Sequence, residues 1–170
     1  MSIANRLESY LKTHSIAYDL IAHPHTETSM HTASAAHVPV DRLAKAVILK
    51  DGDDYLMMVI PSDYHVHLGA LHRRLGRNIG RATEREVEDL FPDCDQGAAP
   101  PIGEAYGLRS LVDEGLLQQP EVFFDAGDHE HLVRTDGASF RVLQTGAMAV
   151  EAVRLRIRGH GAADTGLWSL

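Results

Sequence analysis

Two apolar runs flanking an acidic turn constrain this chain most strongly. Ala46-Val47-Ile48-Leu49-Lys50 and Tyr55-Leu56-Met57-Met58-Val59-Ile60 are rich in strand-favouring residues, and Asp51-Gly52-Asp53-Asp54 joins them. Runs of this length around a glycine-bearing turn predict a β-hairpin. The flanking elements are shorter. Ile3, Leu7, Tyr10 and Leu11 share one helical face, with Ser2 as N-cap, and predict a helix to about His14. A strand is expected over Ala17 to Ile21, ending at His23-Pro24, and a helix capped by Thr28 or Ser29 runs through Ala36. Asp41 and Arg42 open a further helical turn that carries Leu43 and Lys45.

Beyond the hairpin, Leu68 to Leu75 reads as a helix and Asn78 to Arg81 as a strand. Thr83 to Phe91 reads as a helix whose Thr83 and Glu86 form a capping box. Leu108 to Val112, Glu121 to Asp125 and His131 to Arg134 read as strands, Gly137 to Leu143 as a helix and Ala149 to Ile157 as a last strand. Strands and short helices are interleaved without strict βαβ alternation. The expected fold is therefore a mixed α/β single domain, with a curved, barrel-like mixed sheet flanked by helices. The domain is expected over residues 1–158. The glycine-rich 159–170 segment is expected to be a loose tail on which Leu167 and Trp168 can dock.

Composition removes several classes of function. A length of 170 residues suits one domain with a real core. The single cysteine, Cys94, excludes an intramolecular disulfide and suits a reducing, cytoplasmic setting. No secretory signal or membrane-length apolar run is present. A formal charge of -8 argues against broad binding to DNA or RNA, which rests on neutralising many phosphates. It leaves room for recognition of one nucleic-acid terminus. The chain carries no GxGxxG, no Walker-type Gly-Lys-Ser/Thr and no Gly-x-Ser-x-Gly elbow, so no nucleotide cofactor is expected. Cys94 lacks an activating neighbour and reads as a packed thiol.

Five features remain for chemistry. Gly97-Ala98-Ala99-Pro100-Pro101-Ile102-Gly103 is stiff in its centre and permissive at both ends, as suits the wall of a pocket or a tight corner. His65/His67 and His129/His131 are His-x-His pairs, and His23 and His25 bracket Pro24. On a strand such pairs direct both rings to one face, the beginning of many metal sites, yet no His-Glu-x-x-His or Cys-x-x-Cys accompanies them. Lys45, placed just before an apolar strand, reads either as an anchor for phosphate or carboxylate or as an ordinary solvated lysine. Arg73, Arg74, Arg77, Arg81 and Arg85 are interrupted by Glu84, Glu86 and Glu88 and read by default as a solvated face with local ion pairs, with an RNA-backbone contact the alternative. Arg154, Arg156 and Arg158 read equally as RNA contacts or as the outward face of an edge strand.

Three segments in order, 44–52, 97–103 and 124–134, resemble the YbaK/prolyl-tRNA synthetase-associated domain family of aminoacyl-tRNA deacylases. They read Ala-Lys-Ala-Val-Ile-Leu-Lys-Asp-Gly, Gly-Ala-Ala-Pro-Pro-Ile-Gly and Phe-Asp-Ala-Gly-Asp-His-Glu-His-Leu-Val-Arg, and the resemblance spans roughly residues 1–150. It implies a mixed α/β fold and trans-editing, the hydrolysis of the ester joining a wrong, small amino acid to a tRNA 3′ end. It implies a functional lysine at Lys45 and a Gly-x-x-x-Pro loop at Gly97 to Pro101. A histidine in the 129–131 segment is placed at His129, with His131 the alternative. Substrate contacts are expected from Ala98, Ala99, Pro100, Pro101, Gly103 and His131, with catalysis resting on Lys45, Gly97 and His129. The implied partners are the aminoacyl-tRNA acceptor end and a synthetase, with no membrane, DNA, metal or cofactor. Two other readings compete: a non-catalytic module for aminoacyl ligands or a synthetase, and a metal-dependent hydrolase built on the His-x-His pairs.

Overall fold

The hairpin sits at the centre of the sheet, and its two strands recruit neighbours on both outer edges. The computed structural model describes residues 3–150 and 154–156. Strand β2 (Leu43–Asp51) pairs antiparallel with β3 (Asp54–Pro61), from Ala44 opposite Pro61 to Asp51 opposite Asp54. Around them the described strands run in the order β1 (Asp19–Ala22), β8 (His131–Asp136), β7 (Glu121–Asp125), β2, β3, β6 (Arg109–Asp113) and β9 (Met148–Val150). The pairs β2–β7, β3–β6 and β6–β9 are parallel, and β1–β8 and β7–β8 antiparallel. This is the mixed sheet expected. A short β5 (Ile79–Arg81) pairs with the end of β2, and β4 (Tyr64–Val66) pairs with β10 (Arg154–Arg156) in a separate ribbon.

Helices cover both faces. They are α1 (Asn5–Thr13), α2 (Ser29–Ala36), α3 (Leu68–Leu75), α4 (Glu84–Leu90), α5 (Glu114–Leu117) and α6 (Gly137–Leu143). Strand β3 shows why two covers are needed. Met57 and Val59 enter a core with Leu7 and Leu11 of α1, Phe124 and Phe140, while Leu56, Met58 and Ile60 enter a second core with Leu71 of α3, Ile79 and Leu111. A strand buried on both faces reads as a continuous apolar run rather than an alternating one.

Several local expectations are met. Thr83 and Glu86 form the capping box, Thr28 caps α2 by accepting from His31 N, and α3, β7 and α6 keep the expected bounds. Others are corrected. Helix α1 has Ala4, not Ser2, at its N-cap, with Ile3 buried just ahead of it. The turn opened by Asp41 and Arg42 is a 3₁₀ turn that stops at Arg42, so Leu43 and Lys45 belong to β2. The cause is tertiary: pairing of Leu43 and Ala44 with Phe123 and Phe124 extends the strand backward. The last strand, expected over Ala149 to Ile157, is divided between β9 and β10 in different sheets. Arg158, Leu167, Trp168 and the expected 159–170 tail lie outside the described residues.

Leu7, fully buried against the sheet, is a direct probe of this core. Leu7→Ala is expected to cost about 2–5 kcal/mol of stability, read from urea unfolding midpoints.

Candidate functional site

The register of β2 and β7 creates the opening of the site. Their parallel pairing ends at Ala44 opposite Phe124, and β2 next regains a neighbour on β5 from Leu49 to Asp51. The first residues past the last β2–β7 rung are Lys45 and Asp125. Both line a cavity of about 60 Å³, together with Ala46, Gly97, Ala99 and His129, and with Glu27, Thr28 and Thr32 of the α2 entry. That volume has room for a few water molecules or one small acyl group.

One wall is the turn after β7. Asp125 Oδ1 accepts from the N–H groups of Gly127 (2.7 Å), Asp128 (3.2 Å) and His129 (3.4 Å). Three donors on one oxygen bend the chain tightly enough that His129 takes φ 60°, a left-handed conformation uncommon for a residue with a side chain. Gly127, at φ 116°, is packed so that a Cβ would lie 2.9 Å from the Ala4 Cβ. Ala4 N donates to Ala126 O at 2.8 Å, pinning the start of α1 to this turn.

The opposite wall is the Gly97 loop, and two hydrogen bonds lock it to the turn. Asp95 N donates to Gly127 O at 2.8 Å, and His129 Nε2 lies 2.6 Å from Gln96 O. A carbonyl only accepts, so Nε2 carries the proton. The other ring nitrogen, Nδ1, is 3.7 Å from Asp125 Oδ2. Gly97 takes φ 78°, which lets its backbone turn beneath the imidazole.

Lys45 supplies the cationic side. Its Nζ donates to Ser62 O at 3.3 Å. Burial lowers the ammonium to about 8, the positive charge of Arg81 adds to that lowering, and Asp63 opposes it. Asp125 shifts the other way: burial raises its carboxyl, and the turn N–H groups and His129 offset only part of that.

The cavity thus joins Lys45, Gly97, Ala99 and His129 among the residues singled out in the sequence. The rest of that set lies off its lining. Ala98, Pro100 and Pro101 are buried behind the loop, with Pro101 O accepting from Gln144 Nε2 at 2.8 Å. Gly103 is packed on β6, where a Cβ would collide with Ser110 Oγ and Leu108 O. His131 opens β8, its Nδ1 2.6 Å from Asp128 Oδ2.

Neither His-x-His pair lies wholly on a strand: His65 is in β4 and His131 opens β8, but their partners are elsewhere. His129 lies in the turn, and His67 caps α3 by accepting from Ala70 N. Among the described residues no group of three or more His, Cys, Asp and Glu side chains is placed to hold a metal ion. Cys94 lines a neighbouring cavity between α4 and the Gly97 loop, and burial pushes its thiol up to about 12. Asp125 was not singled out from sequence. Its signal is local: an Asp two residues before a Gly, where Asx turns form.

An aminoacyl-tRNA editing domain model matches residues 23–143. The chain belongs to that family. The matched range contains all three segments that carried the resemblance. Solved structures agree on the fold. A candidate trans-editing enzyme for prolyl tRNA synthetase is 26% identical, covers 87% of this chain and 94% of its own, and superposes with a TM-score of 0.73. A scaffold protein from epitope backbone grafting by computational design is 23% identical over 87% and 94% of the two chains, with a TM-score of 0.74. A candidate signal transduction protein from Marinobacter aquaeolei VT8 is 18% identical, with a TM-score of 0.69. It covers 86% of this chain, which spans 30% of that one. No curated protein matches the chain.

The charge environment of Lys45 is directly measurable. Its side-chain ammonium is expected to titrate near 8 by NMR, below an ordinary lysine, and Arg81→Ala is expected to raise that midpoint.

Proposed function

We propose that this editing domain is an aminoacyl-tRNA deacylase acting in trans, hydrolysing the ester between a small amino acid and the tRNA 3′ end without a bound metal. The observation carrying this reading is the pairing of Lys45 with the Gly97 loop across one small cavity. Family membership and the editing-enzyme neighbour support the substrate class. In this reading Lys45 holds a phosphate or ribose oxygen of the terminal nucleotide by a charge-assisted contact. The backbone N–H groups of Gly97 and Ala99 face the oxyanion that develops as the ester carbonyl becomes tetrahedral. Ala98 N is already taken by Asp95 O, so it is not among them.

An aminoacyl ester is an activated substrate, and positioning with charge stabilisation supplies most of what its hydrolysis needs. Water attacks the carbonyl, the substrate's neighbouring 2′-hydroxyl assists proton transfer, and the ribose oxygen leaves with a proton. His129 acts as a positioning residue: with Nε2–H given to Gln96 O, it holds the loop against the turn. Small amino acids are selected by the walls of the cavity, since a missing or extra methylene shifts binding by only about 1–3 kcal/mol and shape exclusion must do the rest.

The test is a deacylation panel with tRNAs charged with alanine, serine, threonine, cysteine and proline. The wild type is expected to hydrolyse at least one of them, and Lys45→Ala to slow that reaction roughly 10- to 100-fold. His129→Ala is expected to lower kcat while Lys45→Ala acts on KM as well. No turnover above the uncatalysed rate on any substrate would replace this reading with that of a binding module.

A further inference from the structure

Two carboxylates line the cavity, and they differ in kind. Glu27 is exposed at the α2 entry. Asp125 has a side chain only 19% exposed, on the wall formed by the turn. Its two oxygens are used unequally. Oδ1 takes all three turn N–H groups, whereas Oδ2 is 3.7 Å from His129 Nδ1, beyond hydrogen-bond reach. A carboxylate oxygen accepts more than one bond, so Oδ2 keeps acceptor capacity on a residue that lines the cavity. Shaping the turn requires one oxygen only, and an asparagine would serve there equally well. A formal negative charge buried at this point is costly unless a cation meets it.

Aminoacyl esters carry such a cation. Their α-ammonium is attached to the carbon next to the ester carbonyl, and hydroxyacyl and N-acylated esters of the same size lack it. Lys45 and Asp125 open the same cleft as the first residues past the last β2–β7 rung, so a cation and a largely buried anion stand together at this edge of the site. That polarity complements a ligand with a phosphate or ribose oxygen on one side and an ammonium on the other. We propose that Asp125 binds the α-ammonium of the acyl group and makes the site selective for free aminoacyl esters over hydroxyacyl or N-acylated ones. The inference rests on the deacylase reading above. The raised carboxyl of Asp125 fits it, because an arriving ammonium supplies the compensation that burial removes.

Acceptor-stem microhelices charged with alanine or lactate, and with serine or glycerate, test it at about pH 7, below the ordinary α-amino pKa of roughly 8. Each pair differs by an ammonium replaced with a hydroxyl. The wild type is expected to favour the aminoacyl member in kcat/KM by roughly 10- to 100-fold, the worth of a hydrogen bond to a charged group. Asp125→Asn keeps the Oδ1 acceptor for the turn and is expected to erase that preference, the aminoacyl kcat/KM falling toward the hydroxyacyl value. Equal wild-type rates on the two members overturn the proposal whether or not the variant folds. An equal loss on both members in Asp125→Asn also overturns it, and leaves Asp125 a purely turn-shaping residue. If no ester is hydrolysed, the deacylase reading has failed on its own. Binding of 3′-amide-linked alanyl and lactyl microhelices to wild type and Asp125→Asn then decides the ammonium contact by the same ratio.

Discussion

The contact between His129 and the Gln96 carbonyl is the interaction on which the site depends. It joins a loop and a turn 33 positions apart in sequence and sets the gap between the two walls. Each partner needs an unusual backbone: Gly97 at φ 78° and His129 at φ 60°. Left-handed conformations of this kind persist where surroundings over-determine them. Here Asp125 gathers three N–H groups, Ala4 donates to Ala126, and Asp95 donates to Gly127. The main core buries Ile3, Leu7 and Phe124 beside these same residues, so the stability of the domain and the geometry of the cavity are linked.

The second determinant is where the sheet parts. Strands β2 and β7 stay paired to Ala44 and Phe124, and the next residue on each carries a charge, positive on Lys45 and negative on Asp125. Burial works against both charges, pushing the lysine down and the carboxyl up. Groups whose charged forms are disfavoured by burial gain most from a ligand of opposite sign, and perturbed groups of this kind cluster at functional sites. A net charge of -8 over the whole chain is compatible with recognition of an RNA end when the cationic contact is this local.

Much of the fold was legible because its signals are local. The hairpin, the Thr83–Glu86 capping box, and the bounds of α3, β7 and α6 follow from residues within a turn or two of each other. Lys45 was placed in the wrong element because its strand is extended by pairing with residues 80 positions away, Leu43 with Phe123 and Ala44 with Phe124, which no window around residue 45 contains. Strand β4 and helix α5, three and four residues long, are too short to show periodicity. At the site, Lys45, Gly97, Ala99 and His129 were named and lie on one cavity. Pro100, Pro101 and Gly103 were named with them, yet they support the loop from behind, since a stiff segment reads the same from either side. Asp125 escaped notice because its importance lies in three N–H groups converging on one oxygen, an arrangement visible only once the turn is folded.

The central claim is that the acyl group enters the cavity between Lys45 and the Asp125 turn, not the larger one between α4 and the Gly97 loop. A ¹⁵N–¹H NMR titration with a 3′-amide-linked alanyl microhelix measures this directly. The account predicts the largest amide shifts at Lys45, Ala46, Gly97, Ala99, Asp125 and His129. Shifts concentrated at Glu84, Val87, Glu88 and Phe91, with Lys45 and His129 unmoved, would contradict it.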